Sequence, residues 1–385
     1  MTPTFTEMKR TGSEELLSLT TQRIERYPIL KAIYDDQFLR DLVQRKNDYD
    51  NLLLLWLVAY GSNDGQMAAA LFQDIERNLE LFDEDDRVLF GRKLKQWSTS
   101  SFESTIVELE FAADYIRRGY SVELEPTLPN NRKGEFCITK GTLKIYFEVK
   151  TIYKKAFRKD RAIMDELSDR LDGIERPFAL SIDIKRSFAR NQTVEAARCI
   201  AQQLRNIKAA SVGQTFSFAY PQYGESIVEI EAKRLPDGEE GYVSGYVFGG
   251  GIKGDWRDLR SKITSSVKQL HPDYPGVTIV ASYDLETGEY DIRNALFGDL
   301  SISMHSDEPV RGQDRIFRRD KNSRLSAAIY CEKRLQSTGY VRRLLVYHNP
   351  FAERSLSPLI FEGEDVLQWG LIRQGDGTAS YGRVR

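Results

Sequence analysis

The chain has 385 residues, of which 41% are hydrophobic and 29% charged, and its formal net charge is −2 at pH 7. This composition is typical of a globular protein of two or three domains. The near-neutral charge argues against a protein that coats nucleic acid through bulk positive potential. No run of eighteen apolar residues and no basic, apolar leader occurs, so we expect a cytoplasmic protein without a membrane span.

Cysteine and histidine are too scattered to form a familiar metal site. The cysteines are Cys137, Cys199 and Cys331, and the histidines are His271, His305 and His348. No two of them have the spacing of zinc ligands, which excludes a zinc centre and a His-metal nuclease finger. The cysteines are expected to be reduced core residues.

The first part of the chain predicts a helical domain over residues 1 to 98. Residues 13 to 97 have a helical pattern, with a leucine-rich helix over 52 to 58 and another over 67 to 81. The acidic run from Asp83 to Asp86 predicts a helix N-terminus, because acids are stabilised by the positive end of the helix dipole. We expect this domain to be structural or to bind a protein partner.

An alternating strand carries the most informative pattern in the sequence. In the segment from Ile145 to Lys150, apolar residues alternate with Tyr146, Glu148 and Lys150, which therefore share one face. A carboxylate and an ammonium two residues apart suit a hard cation and an attacking water beside a phosphate. Glu135, at the start of the preceding apolar run, is a candidate for the second carboxylate.

The elements before this strand have a recognisable order. The pattern predicts a helix from Ser101 to Arg118, a stop at Gly119 and a strand from Tyr120 to Leu124. Followed by the hairpin with Glu135 and the Glu-x-Lys sequence, this order resembles the PD-(D/E)XK, or restriction-endonuclease-like, nuclease superfamily. The resemblance covers roughly residues 101 to 150, and Gly134-Glu135 stands where the family name has Pro-Asp.

The resemblance implies a set of site residues. Glu108, eleven residues before Gly119, would be the helix acid, with Glu110 as its alternative. Glu135, Glu148 and the Val149 carbonyl would hold Mg²⁺ or Mn²⁺, and Glu108 would assist through the metal or a bound water. Lys150 would orient or deprotonate the attacking water. These four side chains, Glu108, Glu135, Glu148 and Lys150, are the predicted catalytic residues.

The implied fold class is α/β, with a restriction-endonuclease-like core and a mixed central sheet. The core would span residues 99 to 350, interrupted by a large insertion around 152 to 254, and residues 351 to 385 would form a C-terminal extension. Either a helix from Trp256 to Leu270 with a strand from Gly276 to Ala281, or the strand from Phe178 to Ile184, would complete the sheet. The first choice places Lys262 and Gln269 on one helix face, and some relatives have a Gln near the site.

Basic residues follow the Glu-x-Lys strand directly. Lys154, Lys155, Arg158 and Lys159 are predicted to bind nucleic acid, and a second basic segment runs from Arg311 to Arg324. The implied function is a magnesium-dependent DNA endonuclease in bacterial defence or repair, with DNA favoured over RNA by the resemblance alone. The alternative is a catalytically inactive nuclease-fold protein that binds nucleic acid or acts as a scaffold.

Overall fold

The computed structural model describes residues 12–45, 53–54, 57, 63–96, 99–129, 131–152, 178–184, 190–206, 211–220, 228–236, 242–246, 256–282, 289–298, 300–302, 309–311, 315–336, 339–363, 365–373 and 379–384. The protein is α/β and is built around a mixed sheet of eight strands. It divides into two compact units, the larger holding Thr11–Ile152 and Gly254–Arg385 and the smaller holding Tyr153–Lys253. In these ranges, no helix has the length and apolar character that crossing a membrane requires.

The N-terminal part of the larger unit is helical, as predicted. Its helices are α1 (Ser13–Ile24), α2 (Pro28–Ile33), α3 (Asp36–Gln44), α4 (Asn63–Leu79) and α5 (Glu84–Leu94). The acidic run begins α5 as expected, because the Asp83 carboxylate accepts a hydrogen bond from the Asp86 N–H and caps the helix. The leucine-rich helix predicted over 52 to 58 falls mostly outside the described residues.

The predicted helix, glycine stop and strand are confirmed. Helix α6 (Thr99–Arg117) ends at Gly119, which has φ +76°. The Tyr120 N–H bonds the Tyr115 carbonyl and the Gly119 N–H bonds the Ile116 carbonyl, the pair of bonds that closes a helix at a left-handed glycine. Strand β1 (Ser121–Leu124) follows at once.

In the part of the chain that the structure describes, the strands form three sheets. Their bounds are β1 (Ser121–Leu124), β2 (Phe136–Lys140), β3 (Leu143–Ile152), β4 (Phe178–Ile184), β5 (Thr215–Tyr220), β6 (Val228–Arg234), β7 (Tyr242–Tyr246), β8 (Gly276–Ser282), β9 (Leu300–Ile302), β10 (Pro309–Arg311), β11 (Leu325–Gln336), β12 (Gly339–His348), β13 (Val366–Arg373) and β14 (Ala379–Arg383). The large sheet has the order β1-β2-β3-β8-β11-β12-β13-β14, and β9 pairs with β10. Strands β13 and β14, from the segment predicted as an extension, belong to the large sheet.

The strand beside β3 decides how the sheet is completed. Strand β8 pairs with β3 in parallel, so the first of the two predicted choices is correct. Helix α8 (Trp256–Val267) precedes β8 and packs on both strands, although it ends three residues earlier than predicted. The choice of Phe178–Ile184 is wrong, because β4 lies between β6 and β7 in a separate four-stranded sheet. That sheet belongs to the smaller unit, together with helix α7 (Arg190–Asn206).

Helices cover both faces of β3. On one face, α6 contributes Tyr115, whose ring centroid lies 5.2 Å from that of Phe147, and Phe147 stacks on Phe136 at 4.7 Å. On the other face, α8 and α9 (Glu289–Phe297) form a core with β8 and β11. A strand covered on both faces has little solvent contact, so any charged residue on it must find its partners within the fold.

Candidate active site

Strand β3 places Glu148 in the interior. Its side chain is 2% exposed, although it lies on the polar face of the strand, because α8 covers that face. Burial raises the pKa of Glu148 to about 7, against the opposing charge of Lys150 and with a further contribution from the Glu135 carboxylate. A buried carboxylate of this kind needs cations or hydrogen-bond donors nearby, and such groups are enriched at functional sites.

Lys150 links the strand to the helix on that face. Its Nζ donates to Glu148 Oε2 at 3.1 Å and to Gln269 Oε1 at 3.1 Å. Lys262 lies on the same side of α8 and donates to the Thr151 carbonyl at 2.5 Å. Lys262 and Gln269 therefore both contact β3, but they do not share a helix face as predicted, because the helix ends at Val267.

Glu135 lies one residue before β2, next to Glu148. The register pairs Phe136 with Phe147, and extending it by one residue places Glu135 opposite Glu148. The Glu135 carbonyl accepts the Glu125 N–H at 2.9 Å, which fixes the backbone where β1 gives way to the turn. The Glu135 carboxylate contributes to the raised pKa of both Glu148 and Glu108, after burial, which is the larger cause in each case.

Glu108, on α6, is 3% exposed and is held by Lys93 from the last turn of α5. The Lys93 Nζ lies 2.8 Å from Glu108 Oε1, 2.9 Å from Glu108 Oε2 and 3.2 Å from Glu135 Oε2. Burial raises the pKa of Glu108 to about 8, opposed by the Lys93 charge and reinforced by Glu135. Burial also favours neutral Lys93, but Glu108 and Glu135 outweigh this effect and raise its pKa.

Lys93 and Glu125 were not anticipated from the sequence. Glu125 follows β1 with φ +45°, and its Oε1 lies 3.7 Å from the Lys93 Nζ. Lys93 is separated from Glu108 by a helix junction, so no local spacing relates the two residues. The helix N-terminus at Asp83 to Asp86 indicated only that a helix would carry Lys93, not which face would meet the site.

Glu110, the alternative to Glu108, faces elsewhere. Its Oε1 lies 2.5 Å from the Nζ of Lys333 on β11. Residues two apart on a helix point in directions about 200° different, so Glu108 and Glu110 cannot serve one site. Of the two acids, Glu108 is the one that contacts Lys93 and Glu135.

The predicted nucleic-acid contacts are only partly described. Lys154, Lys155, Arg158 and Lys159 lie outside the described residues. In the second basic segment, Arg315, Arg319 and Lys321 are exposed, and Arg318 pairs with Asp320 at 2.7 Å. This second segment therefore presents charge to solvent.

The acids of the site offer oxygen ligands, the kind that a divalent cation such as Mg²⁺ prefers. Within the described ranges, no group of three or more His, Cys, Asp or Glu side chains is arranged to hold a metal ion. Two adjacent carboxylates, Glu135 and Glu148, and the Val149 carbonyl are nonetheless oxygen ligands of the kind that Mg²⁺ prefers, and Mg²⁺ commonly uses only one or two protein carboxylates. The donor types are therefore ones that suit Mg²⁺, and Glu135 is also in contact with Lys93.

Comparisons with known proteins do not supply a family. No protein-family model, no curated protein and no solved structure matches this chain. The resemblance to restriction-endonuclease-like nucleases therefore remains a prediction from the motif.

Proposed function

We propose that this protein is a metal-dependent nuclease with a restriction-endonuclease-like core that hydrolyses phosphodiester bonds in nucleic acid. The observation that carries the proposal is Glu148, a buried carboxylate on a strand covered on both faces. It accepts a hydrogen bond from Lys150, and Glu135 contributes to its raised pKa. Burying such charges is costly, and a protein that needed only stability would be served as well by apolar residues. Perturbed acids beside a positioned lysine are typical of a catalytic centre.

Glu135, Glu148 and the Val149 carbonyl would hold Mg²⁺ or Mn²⁺, which supplies Lewis-acid polarisation of the phosphate and a bound water of lowered pKa. Glu148 also accepts a hydrogen bond from Lys150, so one carboxylate fixes the position of the lysine. Glu108 would assist through the metal or a bound water.

Lys150 is the group that would act on water and phosphate. Its two hydrogen bonds, to Glu148 and Gln269, fix the ammonium without using all three of its protons. The remaining proton can orient the attacking water, and the fixed charge stabilises the negative charge that develops on the phosphorane. Gln269 thereby contributes as a positioning residue, since it holds Lys150 from the opposite side.

The motif resemblance supports DNA as substrate, endonucleolytic cleavage and a role in bacterial defence or repair in the cytoplasm. In the sequence, Lys154 comes two residues after Ile152, the last residue of β3, so the basic residues from Lys154 to Lys159 are suited to hold phosphates that flank the scissile one. The N-terminal helices would serve as a surface for a protein partner.

One observation favours a second function, a catalytically inactive nuclease-fold protein that binds nucleic acid or acts as a scaffold. Lys93 already supplies a positive charge to Glu108 and Glu135, as a protein without metal would require. In that case the acids and lysines would form a stabilising network, and neither Mg²⁺ nor Mn²⁺ would bind.

A calorimetric titration with Mn²⁺ and a cleavage screen separate the two functions. The screen uses single-stranded, duplex and structured DNA and RNA, with Mg²⁺ or Mn²⁺. We expect metal binding and cleavage of at least one DNA substrate. A folded protein that binds no metal and cleaves nothing would favour the inactive form. Glu135→Asp extends the test, because Asp carries the same carboxylate on a side chain one methylene shorter. The variant should keep its activity if the metal site tolerates either length, and lose it if the other ligands are positioned for Glu.

A further inference from the structure

We propose that Lys93 is a positioning residue of the site, which holds Glu108 and Glu135 together and competes with the divalent cation for Glu135. The inference rests on the metal site of the proposed function. It concerns a residue of the helical part of the chain that the Glu-x-Lys motif does not include.

The contacts of Lys93 place it among three carboxylates. Its Nζ is 2.8 Å from Glu108, 3.2 Å from Glu135 and 3.7 Å from Glu125. The Lys93 side chain is 15% exposed, so little solvent screens these contacts. One carboxylate would suffice to balance a buried ammonium, and the surrounding acids therefore exceed what a structural ion pair needs.

Glu135 is the residue for which the Lys93 ammonium and the divalent metal ion would compete. It contacts Lys93 directly, and it lies opposite Glu148, with which it would hold the metal. An ammonium that already neutralises Glu135 reduces the charge available to the metal, and it repels a divalent ion several ångströms away. Metal binding would therefore weaken the Lys93 contact with Glu135, while both Glu108 contacts persist.

Lys95 offers a matched control on the same part of the chain. It lies at the C-terminal end of α5 and pairs with Asp35 at 2.7 Å. This pair is as short as the Lys93–Glu108 pair, but Lys95 contacts Asp35 and the Phe38 ring, and neither residue is a candidate metal ligand. If substitution of Lys93 changes the metal affinity and substitution of Lys95 does not, the change comes from the contacts of Lys93 in the site.

The experiment is a calorimetric titration of the full chain with Mn²⁺, using wild type, Lys93→Met, Lys93→Arg and Lys95→Met. Lys93→Met keeps the length of the side chain and removes the charge, so we expect Mn²⁺ to bind about tenfold more tightly. Lys93→Arg should restore wild-type affinity, and Lys95→Met should leave it unchanged. Equal or weaker Mn²⁺ binding by folded Lys93→Met overturns the inference.

A second pair of variants covers the case in which Lys93→Met does not fold, since it leaves buried Glu108 without its ammonium. The double variant Lys93→Met/Glu108→Gln is then compared with Glu108→Gln, and the same gain of about tenfold in Mn²⁺ affinity is expected. Equal affinities overturn the inference.

Cleavage assays distinguish failure of this inference from failure of the proposed function. If wild type cleaves nucleic acid but Lys93→Met does not alter Mn²⁺ affinity, only the inference fails. If the affinities change as expected but no variant cleaves, the role of Lys93 stands and the nuclease function fails. If Mn²⁺ binds to none of the variants, both are overturned.

Discussion

Helix α6 carries two clusters of charged residues on opposite sides, and their charge balance differs. The Glu108 cluster consists of Glu108, Glu125, Glu135 and Lys93, and the Glu110 cluster consists of Glu110, Asp114, Lys333 and Arg342. The first has three acids around one lysine. The second pairs Glu110 with Lys333 and Asp114 with Arg342, and Asp114 also pairs with Arg117 at 3.3 Å, so each acid has at least one base.

This difference separates a candidate site from a structural network. The Glu110 cluster joins α6 to β11 and β12, and all four of its charges have partners of opposite sign. It lines a cavity of about 470 Å³, but a ligand there would have to break existing ion pairs. The Glu108 cluster has an excess of negative charge beside Glu148, and an added cation would lower its energy.

The largest effect is expected from removing Lys150. Lys150→Ala should reduce cleavage by about 10²- to 10⁴-fold, because a fixed group that acts on water and phosphate is lost. Metal binding should persist, since an ammonium is not a metal ligand. Lys144→Ala is the control, because Lys144 lies on the same strand but pairs with Glu123 at 3.1 Å. Wild-type cleavage by purified Lys150→Ala would remove Lys150 from the mechanism.

The basic residues after β3 provide the next test. Neutralising Lys154, Lys155, Arg158 and Lys159 together should weaken nucleic-acid binding without changing sequence preference. Each lost phosphate contact should reduce the slope of log affinity against log salt by about 0.7 to 0.9. The measurement is binding at several salt concentrations, with Ca²⁺ in place of Mg²⁺ to suppress cleavage. An unaltered slope would transfer the assignment to the segment with Arg315, Arg318, Arg319 and Lys321.

Glu148→Gln should affect metal binding and stability in opposite directions. The amide is a weaker ligand, so Mg²⁺ affinity should fall. Without metal, the variant should gain stability, because Glu148 titrates near 4.5 in the unfolded chain and at about 7 in the folded one. The folded state therefore binds more protons within this window, and wild-type stability falls as the pH rises through it.

The gain in the free energy of unfolding of metal-free Glu148→Gln is complete above pH 7. It amounts to at most about 3 kcal/mol, and loss of the hydrogen bond to Lys150 reduces it. Urea unfolding of metal-free wild type and Glu148→Gln at pH 5 and pH 8 measures it. We expect the difference in the free energy of unfolding to be larger at pH 8. A difference that shrinks with pH would mean that the folded protein favours the charged form of Glu148.

The sequence was sufficient to predict local order near the site. The alternation in β3, the glycine stop of α6 and the strand after it depend on short-range rules, and the structure has all three. Helical periodicity could not place Gln269 in the same way, because the helix that carries Lys262 ends at Val267.

Residues brought together by tertiary packing were not predictable by those rules. Lys93 meets Glu108 through the packing of α5 against α6, and the geometry of two packed helices is not set by the spacing of residues along either one. The partner of Glu110 is 223 positions away, on β11. The choice between β8 and β4 likewise required the sheet order, because both strands have the apolar pattern of a buried strand.

The smallest effect tests the structural role of the Glu110 cluster. Lys333 is 1% exposed and Glu110 19%, so Lys333→Met should leave a largely buried carboxylate without its ammonium. We expect the free energy of unfolding to fall by about 2 kcal/mol, below the full cost for a buried pair because Glu110 retains some solvent. Cleavage and Mn²⁺ affinity should not change under conditions where the protein is folded.

The double variant Lys333→Met/Glu110→Leu sharpens this result. Replacing both members of a buried ion pair by apolar residues of similar size removes the desolvation cost together with the attraction, so stability should return close to wild type. Urea unfolding of both single variants and the double variant gives the coupling energy directly. A change in Mn²⁺ affinity in any of them would contradict the separation, because it would mean that the two sides of α6 act as one charged site.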